Sequence, residues 1–233
     1  MEILMKRIAV IGSGNMGRAL GVRLAQLGHS VMFGARRSQQ AEAAATRAGA
    51  NARAGTNDEA SAHGDILIWT IREEDPSKVL ENPDLLKGKI VIDLNNRDYS
   101  QEVRNGAWFD HAIAEGLQVN APNALVVKAW NTIAMESFDT DPASLEASNA
   151  QTFIAGDSAS AKSQVAELSK DLGFKAVDLG SGPAAFRAAE ALGDVIRLLM
   201  IDGGMGGRAH LTLSQLPEAK LGTIGRRAGS EYK

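Results

Sequence analysis

The sequence predicts an α/β fold built on a doubly wound parallel sheet, and three observations support this prediction. From Arg7 to Gly180, short apolar runs alternate with amphipathic helical patterns, as in successive βαβ units. The first run, Ile8–Ile11, is continuously apolar, as expected of a strand that helices cover on both faces. That run leads directly into IGSGNMG, which carries glycines at the spacing G-x-G-x-x-G. The chain is therefore predicted to open with the strand, tight turn and helix of a Rossmann-type sheet.

The glycine turn predicts a dinucleotide site. Gly12 allows the sharp turn, Gly14 lets a diphosphate approach the backbone because it has no Cβ, and Gly17 lets the helix pack closely on the strand. The N–H groups at the start of that helix then face the phosphates. Ser13 and Asn15 are placed in the same predicted cofactor site, where they bond phosphate or hold the turn. Met16 is included in that site too, although packing is the favoured role for its side chain.

Five further strands and their connections complete the first part of the predicted sheet. The strands are predicted at Val31–Phe33, Ala50–Ala54, Ile66–Trp69, Ile90–Ile92 and Leu125–Val127, with Ala50–Ala54 at an edge. The connections are predicted as a first helix that Gly28 ends, helices at Ser38–Ala48, Thr56–His63 and Trp108–Glu115, and a helical turn at Pro76–Leu80. Ser38 is expected to cap its helix, and Thr56 and Glu59 to form a capping box. The expected strand order, 3-2-1-4-5-6, puts a ligand cleft beyond the carboxyl ends of strands 1 and 4.

A second βαβ unit and a long helix follow. Strands at Thr152–Ala155 and Phe174–Val177 flank a helix that Asp157 is expected to cap, and both strands are expected to extend the same sheet. The last helix is predicted at Ala184–Asp202, with an apolar surface wider than one sheet face needs. Two interpretations stay open for it, a helix buried within the subunit and a homodimer interface. The chain divides into two predicted parts: residues 1–180, a nucleotide-binding domain with an extended sheet, and residues 181–233, a helical segment and tail.

The end of the second strand selects the nucleotide. An NAD site usually has an acidic residue about 20 residues after the glycine turn, where it binds the ribose 2′-hydroxyl. Here the segment reads Gly34-Ala35-Arg36-Arg37-Ser38. It has no acid to repel a phosphate, two guanidinium groups that can bind one, and a serine hydroxyl at the next helix N-terminus. We therefore predict NADP(H), with Arg36, Arg37 and Ser38 around the 2′-phosphate.

The carboxyl ends of the fourth, fifth and sixth strands are predicted to surround the nicotinamide and its ribose. Trp69, Thr70 and Ile71 are expected to close over the ribose, and Asn95 to bond ribose or carboxamide. Packing in the core is an equal alternative for Trp69 and for Trp130.

The predicted cleft has no obvious proton-transfer residue. Each of the four histidines is better explained by a structural role, Asp93 is assigned to backbone capping, and no metal-ligand cluster is evident. Hydride transfer between two bound rings needs mainly proximity and orientation, whereas reduction of a carbonyl or imine usually needs a positioned acid. Asn131, after the sixth strand, is the candidate for that catalytic role.

Composition narrows the class of protein. The chain has 233 residues, a formal net charge of −3 and no cysteine. The small negative net charge does not favour binding to nucleic acid or to an anionic membrane. The lack of cysteine excludes disulfides and thiolate chemistry. No apolar run approaches the roughly 20 residues of a membrane span, and no signal peptide is evident. The expectation is a cytoplasmic protein that acts on a small molecule.

Taken together, these residues resemble a known family, the NADPH-dependent reductases of the deazaflavin coenzyme F420. The resemblance runs from Arg7 to about Gly207. Five stretches carry it: IGSGNMG, GARR at Gly34–Arg37, VVKAWNTI at Val126–Ile133, the segment Gly156–Gly180, and Gly204-Met205-Gly206. The pattern is also similar to the NADPH-binding domains of membrane metalloreductases.

The resemblance implies an oxidoreductase that moves a hydride between NADP(H) and a deazaflavin-type acceptor in one cleft. It implies a diphosphate on the glycine turn, a 2′-phosphate after strand 2, and an acceptor near the loop after strand 6 and the C-terminal helix. The residues carried over are Ser13, Asn15, Arg36, Arg37, Thr70 and Asn131.

Two departures from the family's pattern leave other functions open. The chain has Asn95-Asn96-Arg97 where the family often has Asn-Pro, and its tail beyond His210 is longer and more basic. One rival hypothesis is an NADPH-dependent reductase of an imine, carbonyl or other small molecule. Another is a non-catalytic NADP(H)-binding protein.

Overall fold

The computed structural model describes residues 4–98 and 110–217, and these form a mostly parallel sheet flanked by helices. The strand order is β3-β2-β1-β4-β5-β6-β7-β8, so the predicted order of the first six strands is confirmed. The strands are β1 Arg7–Ile11, β2 Ser30–Gly34, β3 Ala52–Gly55, β4 Ile66–Trp69, β5 Ile90–Asp93, β6 Leu125–Lys128, β7 Gln151–Gly156 and β8 Lys175–Asp178.

Helices cover both faces of this sheet. They are α1 Asn15–Gln26, α2 Ser38–Ala48, α3 Asn57–His63, α4 Ile113–Asn120, α5 Pro142–Ala147, α6 Ala159–Asp171 and α7 Gly182–Arg197. A π-helical turn, Leu198–Asp202, continues α7, and short 3-10 turns lie at Pro76–Lys78, Pro83–Leu86 and Met135–Asp139. Side chains of β1, β4 and β5 alternate between two buried apolar clusters, one on each face. The burial of these strands on both faces explains why their sequences are continuously apolar.

The strands β7 and β8 extend the same sheet as predicted, but β7 joins it in the antiparallel direction. β7 runs antiparallel to β6, pairing Val127 with Gly156 and Lys128 with Ala155, and β8 is parallel to β7. The connection between β6 and β7 holds only a 3-10 turn and the six-residue helix α5. It returns the chain from the carboxyl end of β6 without a crossover helix, and such a connection produces an antiparallel neighbour.

Several predicted helix boundaries need correction. The predicted helix at Trp108–Glu115 is found at Ile113–Asn120, and Trp108 lies outside the described residues. The Ser158 hydroxyl, not Asp157, caps α6, while Asp157 accepts a hydrogen bond from the Gly182 N–H. The N-cap of α2 is Arg37 rather than Ser38, and it makes no side-chain capping bond. By contrast, the predicted capping box of α3 is present.

The helix α7 packs on the sheet, so the interpretation of a buried helix is confirmed for its inner face. Ala185, Phe186 and Ala189 belong to the same apolar cluster as Trp69. At its far end, Leu199 and Ile201 of the π-helical turn are exposed by 38% and 58%. The homodimer interface stays a prediction. Most of the tail after Leu216 lies outside the described residues.

A buried histidine makes the stability of this fold depend on pH. His29 is fully buried, and its Nδ1 accepts a hydrogen bond from the Lys6 N–H, so the neutral ring carries its proton on Nε2. Burial lowers the pKa of His29, although Asp171, 3.8 Å from Nε2, opposes that shift. The folded chain therefore takes up the second ring proton, which would charge His29, less readily than the unfolded chain does.

We expect the His29 contribution to be fully present above the unfolded pKa, about 6.5, and to be lost as the pH falls through the folded pKa. Calorimetric melting between pH 7.5 and 5 checks this expectation. Below pH 6.5, the Tm is expected to fall less in His29→Asn than in the wild type. In the exposed control His210→Gln, the Tm is expected to fall as it does in the wild type. Identical pH profiles for all three proteins would contradict it.

Candidate functional site

The glycine turn is tied to the ends of the neighbouring strands. Gly12 has a φ of 98°, a region that favours glycine, and its N–H donates to Gly34 O at 3.1 Å. The Ser13 hydroxyl donates to the same carbonyl at 3.1 Å. On the other side, the Thr70 hydroxyl lies 2.7 Å from Gly12 O and 3.0 Å from Ile11 O. The backbone of the turn is therefore held by the carboxyl ends of both β2 and β4.

The two other glycines of the turn meet different surroundings. A Cβ on Gly17 would lie 2.2 Å from Gly12 O, so α1 approaches the turn too closely for any side chain. A Cβ on Gly14 would have no atom within 4 Å and would point into open space. The close packing of Gly17 is confirmed, and Gly14 leaves the backbone open to a ligand. The predicted roles of the two glycines thus differ as the G-x-G-x-x-G pattern requires.

A cleft of about 860 Å³ opens beside this turn, a volume typical of small-molecule sites. Seven of the sequence-predicted residues line it: Gly12, Ser13, Gly14, Arg36, Arg37, Thr70 and Ile71. Sequence reasoning missed six others: Ala35, Gln40, Asn57, Glu73, Lys78 and Val79. Gln40 lies in the first turn of α2, Asn57 begins α3, and the last three belong to the segment after β4. Ala35 lies within the segment Gly34–Ser38 that the sequence singled out, whereas the other five lie in no recognisable motif. For those five, strand order was the one signal that could have indicated their place.

The cleft has the chemistry of an anion site. Gly14, the N-cap of α1, makes no side-chain capping bond, so the first N–H groups of α1 lack a capping side chain. Arg36 and Arg37 are exposed, and neither pairs with a carboxylate among the residues that the structure describes. Lys78 adds a third cation, 3.3 Å from the Glu73 carboxylate. Main-chain N–H groups, open space at Gly14 and two unpaired guanidinium groups suit the phosphates of NADP(H).

Seven predicted cofactor residues do not line this cleft: Asn15, Met16, Gly17, Ser38, Trp69, Asn95 and Asn131. Asn15 accepts a hydrogen bond from Arg18 at 3.2 Å and faces a separate groove along α1. Met16 packs against the apolar core, as favoured from the sequence. Ser38 is exposed at the first position of α2. Helix α1 turns about 100° per residue, so successive residues after Gly14 face different sides of it.

Both tryptophans are core residues, which decides between their two predicted roles. Trp69 and Trp130 are fully buried. The Trp69 indole donates to Glu73 O at 3.0 Å, and the Trp130 indole donates to the Ser169 hydroxyl at 2.9 Å. Buried indole N–H groups need such partners. The expectation that the Trp69 side chain closes over the ribose is therefore wrong.

Asn95 connects strand ends instead of presenting its amide N–H groups to a ligand. It is 7% exposed, and its Nδ2 lies 2.8 Å from Trp69 O, 3.1 Å from Ile71 O and 2.7 Å from Asp93 Oδ1. The Asp93 carboxylate also accepts from the Asn95 N–H at 3.0 Å, so its predicted capping role is confirmed. The Asn95 donors are thereby used to hold the segment after β4.

Asn131, the catalytic candidate, is 4% exposed, and its N–H groups are also engaged. They donate to Asn96 Oδ1 at 3.0 Å and to Ala189 O of α7 at 2.7 Å. Because both donors are used, they are not available to supply a proton or a hydrogen bond to a substrate. The Asn131 amide oxygen has no hydrogen-bond partner among the described residues. The amide of Asn131 thus joins the segment after β6 to α7.

A buried ion cluster below these residues was missed from the sequence. Lys128, Asp93, Glu190 and Asp194 are all 0% exposed. The Lys128 ammonium lies 2.7 Å from Asp93 Oδ2 and 2.6 Å from Glu190 Oε2. Burial opposes the charge on Lys128, but the two carboxylates outweigh it, so the pKa of Lys128 lies above its ordinary value. Lys128 in β6 and Glu190 in α7 are far apart in sequence, so no local pattern indicated that they would form an ion pair.

The part of the chain that forms most of the cleft is similar to a known protein family. Residues 7–97 match a protein family described as NADP oxidoreductase, coenzyme F420-dependent. The predicted resemblance is confirmed. Along most of its length the chain is also similar in structure to a candidate F420-dependent NADP reductase from Arthrobacter sp. FB24, with a TM-score of 0.74 and 28% identity. That match covers 90% of this chain and 100% of the other.

Other relatives with this domain differ in their described activities. The metalloreductase STEAP3 of Rattus norvegicus is 29% identical over 186 residues, which cover 80% of this chain and 36% of the relative. The chain thus spans about a third of the length of the curated relatives it matches. An imine reductase from Pseudomonas sp., at 21% identity and a TM-score of 0.58, shares the fold over 80% of this chain and 59% of its own. None of the helices within residues 4–98 and 110–217 combines the length and the apolar composition that a membrane span requires.

Proposed function

We propose that the protein transfers a hydride between NADP(H) and a deazaflavin-type acceptor bound in the same cleft. The observation that carries the cofactor assignment is the pair Arg36 and Arg37. Both line the cleft next to the open glycine turn, and no carboxylate among the described residues neutralises them. A dianionic 2′-phosphate is the group that such a pair fits, whereas a ribose hydroxyl is better matched by an acid.

The choice of a ring acceptor is supported by how the polar side chains near the strand ends are used. The donors of Asn95 and Asn131 are taken by main-chain and side-chain acceptors, and Asp93 is paired with Lys128. This arrangement leaves the amides of Asn95 and Asn131 without a free N–H donor, and the Thr132 hydroxyl after β6, which has no hydrogen-bond partner among the described residues, is 1% exposed. When NADPH is bound, it supplies the hydride, and the protein supplies alignment of the two rings.

A reductase of imines or carbonyl compounds is the second candidate. One observation favours it: the loop Gly203–Gly206 after α7 is exposed, so it offers no enclosed surface for a flat acceptor. In that case a water molecule would supply the proton, since the Asn131 donors are engaged. A homodimer through residues 184–202 remains part of the proposal, with the exposed Leu199 and Ile201 in the interface.

Turnover of NADPH with defined acceptors tests the proposed function. The absorbance of NADPH is followed with oxidised coenzyme F420, with FMN as a matched ring control, and with a panel of imines and aldehydes. Turnover with F420 at least tenfold faster than with FMN is expected. Turnover of the imine or aldehyde panel without F420 would contradict the deazaflavin acceptor and support the second candidate function. NADPH binding with no turnover of any acceptor would overturn hydride transfer and leave a binding protein.

A further inference from the structure

A continuous set of buried polar contacts, one ion pair followed by hydrogen bonds, joins the C-terminal helix to the wall of the cofactor cleft. It begins at Glu190 of α7, whose Oε2 lies 2.6 Å from Lys128 Nζ. Lys128 in turn donates to Asn95 O at 2.6 Å. The Asn95 amide then donates to Trp69 O and Ile71 O, the carbonyls on either side of Thr70.

The last step of this set reaches the cofactor site itself. Thr70 and Ile71 line the cleft, and the Thr70 hydroxyl lies 2.7 Å from Gly12 O in the glycine turn. The Thr70 N–H donates to Ile11 O at 3.0 Å. The backbone around Thr70 is therefore fixed on one side by the turn and on the other by Asn95.

The charged members of this set are paired with one another. The Lys128 ammonium donates to Asp93 Oδ2 at 2.7 Å and to Asn95 O at 2.6 Å, and it forms an ion pair with Glu190 Oε2 at 2.6 Å. The second oxygen of Glu190 accepts from the Arg97 N–H at 2.5 Å. Buried charges that are completely paired in this way hold one geometry, since any shift leaves a charge unpaired. Apolar packing alone would stabilise α7 without fixing residues 93–97 so closely.

We infer that Glu190 and Lys128 are positioning residues, which set the cleft wall at Thr70 and Ile71 through Asn95. The C-terminal helix thereby becomes part of the cofactor site without touching it. The inference rests on the proposed function only for its effect on NADPH. Its structural consequence, a tighter backbone around Thr70, holds with or without a cofactor.

Glu190→Gln tests the inference, because it replaces one carboxylate oxygen with an amide donor. That donor must face either the Lys128 ammonium or the Arg97 N–H, so one buried contact becomes repulsive. Lys128 keeps Asp93 as its counter-ion, and the chain is therefore expected to fold. The matched control is Glu115→Gln, which removes a carboxylate of α4 that binds Arg187 of the same helix α7 at 2.7 Å and 2.8 Å.

Hydrogen exchange of the peptide covering residues 66–72 is measured in both variants, at the same temperature difference below each Tm. Exchange at least tenfold faster in Glu190→Gln than in Glu115→Gln is expected, together with at least a fivefold weaker Kd for NADPH. Equal exchange of this peptide in the two variants would overturn the inference. If Glu190→Gln does not fold, Glu190→Asp, which shortens the side chain and keeps its charge, is compared with Glu115→Asp in the same way.

The two proposals fail separately in this experiment. Wild-type protein that does not bind NADPH would overturn the proposed function, while the exchange comparison would still test the positioning role. Wild-type protein that binds NADPH, with no difference in exchange between the variants, would overturn the positioning role alone.

Discussion

Replacement of Gly14 by alanine is expected to weaken NADPH binding by about 100-fold, or about 3 kcal/mol, and to leave stability within about 0.5 kcal/mol. The new Cβ meets no protein atom within 4 Å, and the backbone at Gly14 is extended, at φ −70° and ψ −171°. It enters the space where a diphosphate would rest on the main chain. Titration of NADPH fluorescence and thermal melting measure the two effects.

Replacement of Gly17 by alanine is expected to give the opposite pattern and serves as the matched comparison. Its Cβ would lie 2.2 Å from Gly12 O, so α1 and the turn must move apart. A backbone clash of this kind is expected to cost at least about 2 kcal/mol of unfolding free energy. A Gly17→Ala protein as stable as wild type, or a Gly14→Ala protein with full NADPH affinity, would contradict the geometry of the turn.

Removal of both arginines at the end of β2 is the second change with a large expected effect. Arg36→Ala/Arg37→Ala is expected to raise the Kd for NADPH at least 100-fold, because each charge-assisted hydrogen bond to the phosphate contributes about 1.5 kcal/mol or more. The Kd for NADH is expected to change less than about threefold, since its ribose carries no phosphate there. Calorimetric titration with both nucleotides measures the two constants.

A single exposed arginine outside the cleft provides the control for charge. Arg53 on the edge strand β3 is exposed and does not line the cleft, so Arg53→Ala is expected to change both constants less than about twofold. Equal weakening of NADPH binding and NADH binding in the Arg36/Arg37 double variant would contradict the assignment of the 2′-phosphate to these residues.

The parts of the fold that were predictable have strong local signals. β4 was predicted with the bounds that the structure shows, because Ile66–Trp69 is a short apolar run between polar segments. The capping box at Thr56 and Glu59 and the turn at Gly12 likewise depend on neighbours close in sequence. The direction of β7 was not predictable in this way, since it depends on how the connection after β6 returns to the sheet.

The same distinction separates the two ends of the candidate site. The phosphate end is built from the glycine turn and the arginines after β2, which a short motif and its spacing reveal. The other end is built from side chains that meet only in the folded chain, such as Lys128 with Glu190. Asn95 and Asn131 stand at predicted strand ends, but the orientation of their amides depends on carbonyl groups of other elements. Strand order predicts the location of such residues and not the direction in which they point.

A crystal structure with NADP⁺ tests the central claim most directly. We expect the diphosphate on the main-chain N–H groups of Gly12–Gly17, and the 2′-phosphate in contact with Arg36 and Arg37. A cleft that stays empty at saturating NADP⁺, or a nucleotide bound with its phosphates away from the glycine turn, would contradict it.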